Sequence, residues 1–495
     1  MTDQFENHQL CESTGPRQDD GGAGVDHYWR DHLIWFGPVF STLVAWLLFQ
    51  GGFQKEQAIT VGITLATAIW WVFEVLPFGV SSLLPLALFQ LFGILNKKQI
   101  AECYGSHLVL LLFGGFVLSQ ALEKSGAHRR LAISMVAFCG GGGKRLILGF
   151  MLAAFFLSMW ISNAATTLMM LPIALAILEN TKEKRATVPL LLGIAYAASC
   201  GGMATPIGTP PNLAFMQEFE RATGNEMSFL SWMTYALPIA LALLIPIWLW
   251  VSRDVSSEFR VEMPSTGRWR SDEIRTLIVF SLTALAWMTR KDPFGGWSGL
   301  PCFDYLVDGE RISDFVTDGA VAFVAVIIMF CIPTGNKDGQ KLLDWPTARR
   351  IPWEMLILVG AGIALGAAFR ESGLSETIAG GLEHLDGIPA LLLIFLLAIL
   401  VSFLTEMTSN TATANLLMPI LGAAAVKNNM EPGLLMFPAV ISASCAFMLP
   451  VATIPNAVVF ATGKIPIGRM AREGVVLNIG GALVVAIGCY FFLRF

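Results

Sequence analysis

The sequence predicts an all-α polytopic membrane protein, and three observations carry that prediction: the composition, the recurrence of apolar segments and an internal repeat. Of the 495 residues, 55% are hydrophobic and only 14% are charged, whereas a soluble domain averages about 25% charged residues. Apolar runs of roughly 15–25 residues, long enough for membrane helices, recur to the C-terminus. A β-barrel would instead show short strands of alternating polarity. We therefore expect a bundle of helices that lies in a lipid bilayer.

The internal repeat is visible when the two halves of the chain are compared. Three pairs of segments match in the same order: "ISNAATTLMMLPI" (161–173) with "TSNTATANLLMPI" (408–420), "LEKSG" (122–126) with "FRESG" (369–373), and "SCGGMATPIGTPPN" (199–212) with "SCAFMLPVATIPN" (444–456). One such pair could arise by chance, but three pairs in the same order indicate an internal duplication.

The duplication divides the chain into five parts, which are a disordered cytoplasmic tail at 1–33, a first transmembrane helix at 34–56, a first repeat at 57–252, a cytoplasmic linker at 253–275 and a second repeat at 276–495. The tail is polar and acidic. Because it has no apolar core of a signal peptide, we expect that it is not cleaved.

Charged residues and Gly/Pro breaks delimit eleven predicted crossings, at 34–51, 57–74, 79–95, 107–124, 190–217, 233–252, 276–289, 319–333, 354–371, 434–460 and 475–493. Two more apolar stretches, 146–179 and 389–424, have a Ser-Asn motif at their centres. Each of their legs has roughly 16 residues, or about 24 Å of helix, which is shorter than the hydrocarbon core of about 30 Å. We therefore predict a re-entrant hairpin at each stretch rather than a pair of crossings.

The distribution of basic residues orients these segments. If the N-terminus is cytoplasmic, the inner loops carry most of the Lys and Arg and the outer loops carry mostly acidic residues, with Lys97 and Lys98 as exceptions. This agrees with the positive-inside rule and places the C-terminus outside a plasma membrane, such as a bacterial inner membrane. The first hairpin then enters from the cytoplasm and the second from outside. Inverted repeats of this kind are typical of secondary transporters.

Four irregular elements are predicted to meet near the bilayer midplane. They are the hairpin tips Ser162-Asn163-Ala164 and Ser409-Asn410-Thr411, and the proline-broken segments "GTPPN" from Gly208 and "ATIPN" from Ala452. Irregular backbone at membrane depth is tolerated only where it is buried or lines a wet site. Carbonyl, hydroxyl and carboxamide oxygens can ligate Na⁺, while restarting helix N-termini can hold an anion. The pattern thus predicts a joint site for Na⁺ and an anion.

Two other interpretations bear on these residues. Ser, Thr and Asn in membrane helices often only bond neighbouring helices, but repeat-related motifs at two tips favour a binding site. Glu406, beside the second tip, is either a proton or cation group or a buried brace for the hairpin.

An intramembrane enzyme would need a nucleophile with a base, and neither His107 nor His128 lies at a tip. The sequence therefore does not predict an enzyme.

Four segments resemble the divalent anion/sodium symporter family, namely "WWVFEVLPFGVSSLLPLALF" (70–89), "DWPTARRIPWEMLILVGAGIALGAAFRESGLS" (344–375), "FLTEMTSNTATANLLMPIL" (403–421) and "FMLPVATIPNAVVF" (447–460). The resemblance implies a homodimer in which each protomer has a scaffold domain and a transport domain of the elevator type. It implies Na⁺-coupled import of C4-dicarboxylates such as succinate, malate or fumarate, or of related di- and tricarboxylates. Na⁺ would be co-transported and not a prosthetic group, and no nucleic-acid partner is expected.

The resemblance also implies roles for individual residues. A first Na⁺ site would use Ser158, Ser162, Asn163 and the carbonyl of Gly208. A second would use Thr405, Thr408, Asn410 and the carbonyl of Ala452. The substrate would contact Ser162, Asn163, Ala164, Thr209, Pro210, Ser409, Asn410, Thr411 and Thr453.

Two departures from the family pattern concern the choice of anion. The first tip has Ser162-Asn163-Ala164 where the family usually has Ser-Asn-Thr, so Ala164 removes a hydroxyl. Ile454 stands where a second proline is common in the last broken segment. No basic residue replaces a sodium ligand, which favours Na⁺-coupled uptake over exchange. A Na⁺-coupled symporter of sulfate or another inorganic anion, and an organic-anion exchanger, remain the alternatives.

Overall fold

The computed structural model of the protein describes residues 23–179, 184–256, 267–293, 295–300, 302, 306–307, 310–336, 339–381 and 389–492. These residues fold into α-helices joined by short connections, with one small antiparallel sheet of β1 (Leu306–Val307) and β2 (Glu310–Arg311). The predicted all-helical class is therefore confirmed.

The helices of the first half are α1 Ala23–Gln50, α2 Lys55–Val72, α3 Phe78–Ser81, α4 Leu83–Leu91, α5 Lys97–Tyr104, α6 His107–Ser125, α7 Ala127–Cys139, α8 Gly143–Ser158, α9 Asn163–Glu179, α10 Thr187–Met203, α11 Pro210–Thr223 and α12 Phe229–Val251. Those of the second half are α13 Ser271–Met288, α14 Ile312–Phe315, α15 Asp318–Cys331, α16 Trp345–Ala348, α17 Trp353–Glu371, α18 Leu374–Gly381, α19 Ala390–Leu404, α20 Asn410–Lys427, α21 Pro432–Ala443, α22 Ile454–Phe460 and α23 Ile467–Phe492.

Helix α1 begins at Ala23, inside the segment that the sequence assigns to a disordered tail at 1–33. Residues 23–33 contain no proline, so each of them has the backbone N–H that a helix requires, and α1 can extend towards the N-terminus. The remainder of the tail, 1–22, lies outside the described residues.

Five helical segments among the described residues are long and apolar enough to cross a membrane: His32–Gln50, Lys97–Ser125, Phe229–Val251, Trp353–Glu371 and Ile467–Phe492. Shorter apolar helices make up much of the rest. The eleven crossings remain a prediction, because several of the predicted segments consist of two helices. The segments 190–217 and 434–460 are each interrupted, as their prolines predict.

Helix α5 was not predicted from the sequence, although a signal for it exists. Asn96 caps the helix by accepting hydrogen bonds from the N–H groups of Lys98 (2.9 Å) and Gln99 (3.0 Å), and the Gln99 side chain accepts from the Asn96 N–H in return. This capping box is recognisable in the sequence "NKKQ".

The distribution of side chains fits a protein that lies in lipid. Along α1, large apolar side chains such as Trp35 (75% exposed) and Trp46 (56% exposed) face outwards, which is stable only where the surroundings are apolar. Helix α10 is the opposite case, because every residue from Pro189 to Met203 is buried. It packs against α8, α9, α12 and α22, and so forms the centre on which the site is built.

Candidate functional site

Both hairpin tips have the same hydrogen bond across the gap between their helices. Helix α8 ends at Ser158, whose Oγ donates to Oδ1 of Asn163, the first residue of α9, at 2.6 Å. In the second half, Oγ1 of Thr405 lies 2.8 Å from Oδ1 of Asn410, the first residue of α20, and 2.9 Å from the carbonyl oxygen of Ala443. Each bond fixes the orientation of a carboxamide, so that Oδ1 faces the hydroxyl and Nδ2 faces the other way.

The first tip is attached to the broken segment between α10 and α11. Thr205 Oγ1 donates to the carbonyl oxygen of Met159 at 2.5 Å and accepts the N–H of Gly208 at 3.1 Å. This single hydroxyl therefore joins the turn of the hairpin to the loop that carries a predicted sodium ligand. It is fully buried.

Glycines allow the backbone to approach the first tip closely. A Cβ at Gly202 would lie 2.3 Å from Asn163 Oδ1, and one at Gly208 would lie 2.4 Å from the carbonyl oxygen of Gly202. Real Cβ atoms do not make contacts this short. Ser158, Asn163 and Gly208, three of the four residues predicted for the first Na⁺ site, therefore gather around Gly202.

The remaining sodium residues have other contacts. Ser162 Oγ accepts the N–H of Ala165 at 3.3 Å, near the start of α9. Thr408 Oγ1 forms a short hydrogen bond with Thr413 Oγ1, while Ala452 lies buried in a single 3₁₀ turn before α22. Among the described residues, Thr405 is thus hydrogen-bonded to Asn410 at the second tip. No side-chain hydrogen bond of these described residues joins Thr408 or Ala452 to that pair.

Among the predicted substrate residues, Thr209 and Thr453 occupy equivalent positions. Each is the N-cap of the helix that restarts after a break, with φ/ψ of −150°/141° and −143°/150° respectively. Few backbone N–H groups remain for an anion at these two N-termini. Pro211 and Pro455 have no N–H, the Asn212 N–H lies 3.2 Å from the Thr209 carbonyl oxygen, and the Asn456 N–H donates to Thr453 Oγ1 at 3.2 Å. Pro210 occupies the first position of α11 and has no N–H, whereas Ile454, at the first position of α22, retains one.

The other predicted substrate residues lie at the N-termini of α9 and α20. Ala164 follows Asn163 at the start of α9 and is partly exposed. Ser409 is the extended N-cap of α20, and Thr411 is a buried residue in the first turn of that helix. Both hairpins thus present a helix N-terminus at the tip.

Glu406 braces the second hairpin against the second broken segment. Its carboxylate accepts the backbone N–H groups of Phe447 (2.7 Å), Met448 (2.9 Å) and Leu449 (2.9 Å) and the Nδ2 of Asn478 (2.7 Å). The side chain is only 2% exposed. Of the two interpretations that the sequence left open, these contacts favour the brace.

Sequence reasoning missed several residues that shape the site: Thr205, Asn212, Tyr196, Asn456 and Asn478. Tyr196 donates to the carbonyl oxygen of Phe447 at 2.7 Å and so joins α10 to the second broken segment. Asn212 and Asn456 could have been found, since they close the two matching segments of the repeat. The partners of Tyr196 and Asn478 lie far away in the chain, and no local pattern indicates them.

Comparison with known proteins identifies the family. A model of citrate transporters matches residues 68–430. The sodium-dependent dicarboxylate transporter SdcS of Staphylococcus saprophyticus is 36% identical, over 92% of this chain and 90% of that protein. The chain belongs to the divalent anion/sodium symporter family. The SdcS protein of Staphylococcus aureus (strain bovine RF122) is 34% identical to this family member, over 92% of the chain and 89% of the relative.

Two solved structures share the fold of this symporter-family chain. The YdaH transporter of Alcanivorax borkumensis is similar with a TM-score of 0.56 at 13% identity, over 81% of this chain and 90% of that one. MtrF of Neisseria gonorrhoeae gives a TM-score of 0.53 at 10% identity, over 80% and 82%. The family and the apolar helices of the described residues show that the chain is a multi-pass membrane transporter and not an enzyme.

Proposed function

We propose that the protein imports C4-dicarboxylates, of the succinate, malate and fumarate type, together with Na⁺ across a plasma membrane. The observation that carries this proposal is the equivalence of the two tips. In each, a hydroxyl at the end of one helix orients the carboxamide that begins the next. The relatives named as sodium-dependent dicarboxylate transporters support the same conclusion.

The tip asparagines give a physical route for coupling. Oδ1 of Asn163 and of Asn410 already faces a hydroxyl, so both oxygens can ligate one Na⁺ once the hydroxyl hydrogen turns away. The Nδ2 of the same carboxamide is then free to donate to a substrate carboxylate. Because one side chain contacts both cargoes, the binding of Na⁺ stabilises the orientation that holds the anion, and the converse is also true.

The two proposed sodium sites follow the repeat. Ser158, Ser162, Asn163 and the carbonyl of Gly208 form the first, and Thr405, Thr408, Asn410 and the carbonyl of Ala452 form the second. The substrate lies between them, against the N-termini of α9 and α20 and the side chains of Thr209 and Thr453. No Lys, Arg or His occurs in 158–164, 204–212, 405–411 or 446–456. The anion is therefore held by helix dipoles, neutral donors and Na⁺ itself, which suits reversible binding.

The proposal includes a topology and an assembly. Eleven crossings and two re-entrant hairpins place the N-terminus in the cytoplasm and the C-terminus outside. The inverted repeats then contribute one hairpin from each side of the membrane. The working unit is a homodimer in which each protomer has a scaffold and a transport domain that moves as an elevator. Its partners are the small anionic substrate, Na⁺ and the lipid bilayer.

Uptake into proteoliposomes tests the proposed function. With an inward Na⁺ gradient, radiolabelled succinate should accumulate, and replacing Na⁺ by choline should reduce accumulation to the level of protein-free vesicles. Succinate uptake that persists in choline would contradict symport and favour an organic-anion exchanger. Na⁺-dependent accumulation of sulfate without succinate would favour the inorganic-anion alternative.

A further inference from the structure

Two asparagines that are not among the predicted site residues occupy matching positions at the ends of the broken segments. Asn212 follows Thr209 by three residues at the start of α11, and Asn456 follows Thr453 by three residues at the start of α22. Both side chains are fully buried, at 0% exposure. Their agreement across the two repeats indicates a common role.

Each of these carboxamides bridges back across its break. Asn212 Nδ2 donates to the carbonyl oxygens of Gly202 (3.0 Å) and Thr205 (2.7 Å). Asn456 Nδ2 donates to those of Ala446 (3.0 Å) and Leu449 (3.1 Å). The restarting helix is thus bound to the chain that precedes the break. The carbonyl oxygens of Thr205 and Leu449 also accept the N–H groups of Gly208 and Ala452, both at 3.3 Å.

The bridge acts directly on the backbone of the first proposed sodium site. The carbonyl oxygen of Gly202, which accepts from Asn212, lies so close to Gly208 that a Cβ on Gly208 would clash with it. A Cβ on Gly202 would in turn clash with the Asn163 carboxamide. A shift of this carbonyl would therefore move both Gly208 and Asn163. In the second half, Leu449, which accepts from Asn456, also donates its N–H to Glu406.

Neither side chain is fully satisfied by the protein. Among the described residues, Oδ1 of Asn212 and Oδ1 of Asn456 are buried without a hydrogen-bond partner. An unpaired buried acceptor costs about 1–3 kcal/mol, and native structures seldom retain one without a reason. The same omission at both matching positions leaves one free acceptor in each half, on a carboxamide that is bound to the broken segment of a proposed cation site.

We propose that Asn212 and Asn456 are the positioning residues of the two cation sites, one for each half. Their Nδ2 groups fix the broken segments that carry Gly208 and Ala452, and their Oδ1 atoms are left for the cation with its water. This inference rests on the proposed function, since it requires Na⁺ at the two tips.

The test compares Asn212→Ala and Asn456→Ala with wild type for the Na⁺ dependence of succinate uptake. We expect the half-saturating Na⁺ concentration to rise about tenfold or more, the usual effect of removing a group that orients metal ligands. The KM for succinate, measured at saturating Na⁺, should change less. A purely structural role would lower the amount of folded protein without this separation of Na⁺ affinity from succinate KM.

Three further variants keep the result decisive. Asn428→Ala is the matched control, because Asn428 is also buried but its Nδ2 donates to Ala424 (2.8 Å) at the C-terminal end of α20. If the alanine variants do not fold, Asn212→Ser and Asn456→Ser retain one donor each and should show a smaller rise. Folded variants with wild-type Na⁺ dependence would overturn the inference. If uptake by the wild type itself ignores Na⁺, the proposed function fails instead.

Discussion

At the level of single residues, the two tips are similar in hydrogen bonding but differ in one hydroxyl. Asn163 and Asn410 make equivalent bonds to Ser158 and Thr405. The next residue is Ala164 in the first half and Thr411 in the second. The proposed anion site therefore has one hydroxyl fewer on one side. A site that lacks a donor pairs a substrate oxygen less well, so this position is where the choice of anion can be adjusted.

Restoring that hydroxyl should change selectivity. We expect Ala164→Thr to alter the relative uptake of succinate, citrate and sulfate while the dependence on Na⁺ is retained, because the added group contacts the anion and not the cation. Competition of each anion against labelled succinate measures the change. Thr411→Ala, made in the opposite half, is the matched comparison. An unchanged substrate profile in Ala164→Thr would count against a role for this position.

The residue-level predictions from sequence have a clear limit. The repeat and the family resemblance together singled out Ser158, Asn163, Thr405 and Asn410, which the structure joins in two hydrogen-bonded pairs. They could not decide the role of Glu406, because its donors are three backbone N–H groups and the Asn478 side chain, which only the folded chain brings near. A side-chain pattern in the sequence does not indicate such partners.

At the level of elements, the site depends on the close packing of α10 against the first hairpin. A Cβ at Gly201 would lie only 2.1 Å from the carbonyl oxygen of Phe155, in the last turn of α8. The two backbones are therefore in direct contact, as small residues allow in membrane helices. The Phe155 carbonyl belongs to the helix backbone, so it cannot move away from an added Cβ as the end of a long side chain could.

Replacing this glycine should separate the two helices. We expect Gly201→Ala to destabilise the protein by about 1–3 kcal/mol, as overpacking usually does, and to reduce uptake because α8 ends at Ser158. The melting temperature of the purified protein and the uptake rate measure both effects. Gly480→Ala in α23 is the control, since a Cβ there meets nothing within 4 Å. Equal stability of the two variants would contradict the packing argument.

Sequence periodicity and proline positions predicted most of these elements but not their exact form. The breaks in 190–217 and 434–460 coincide with Pro206 and Pro210 and with Pro450 and Pro455, whereas Pro438 is accommodated inside α21. The short helices α7 and α18 were missed, because they are too short to give an apolar run that spans the bilayer. Helix α1 extends further than predicted, since a polar sequence without proline does not by itself end a helix.

At the level of the whole molecule, ion pairs join segments that are distant in sequence. Lys124 at the end of α6 binds Asp344, which precedes α16, at 2.6 Å. Glu218 in α11 bonds Arg370 in α17 at 2.9 Å, and Glu226 bonds Arg290 at 2.5 Å. These contacts link the two repeats at the ends of their helices. Charge patterns in the sequence do not indicate these partners, because the paired residues lie far apart in the chain.

The Lys124–Asp344 pair makes stability depend on pH. The hydrogen bond from Lys124, followed by that from Thr347, lowers the pKa of Asp344 to about 2. A depressed pKa stabilises the folded state above the unfolded pKa of about 3.9, and this contribution is lost as pH falls through the folded pKa. We expect Asp344→Asn to melt below wild type at pH 5–7, by an amount that shrinks between about pH 4 and about pH 2. A difference independent of pH would contradict this assignment.

Na⁺-driven succinate uptake by Asn163→Ala and Asn410→Ala in proteoliposomes tests whether two repeat-related asparagines hold Na⁺ and the dicarboxylate together. Each variant removes one carboxamide that faces both cargoes. We predict that each abolishes uptake while the protein still folds and reaches the membrane, and that Asn225→Ala, in an exposed loop, transports as wild type does. Near-normal transport by either tip variant would contradict the account.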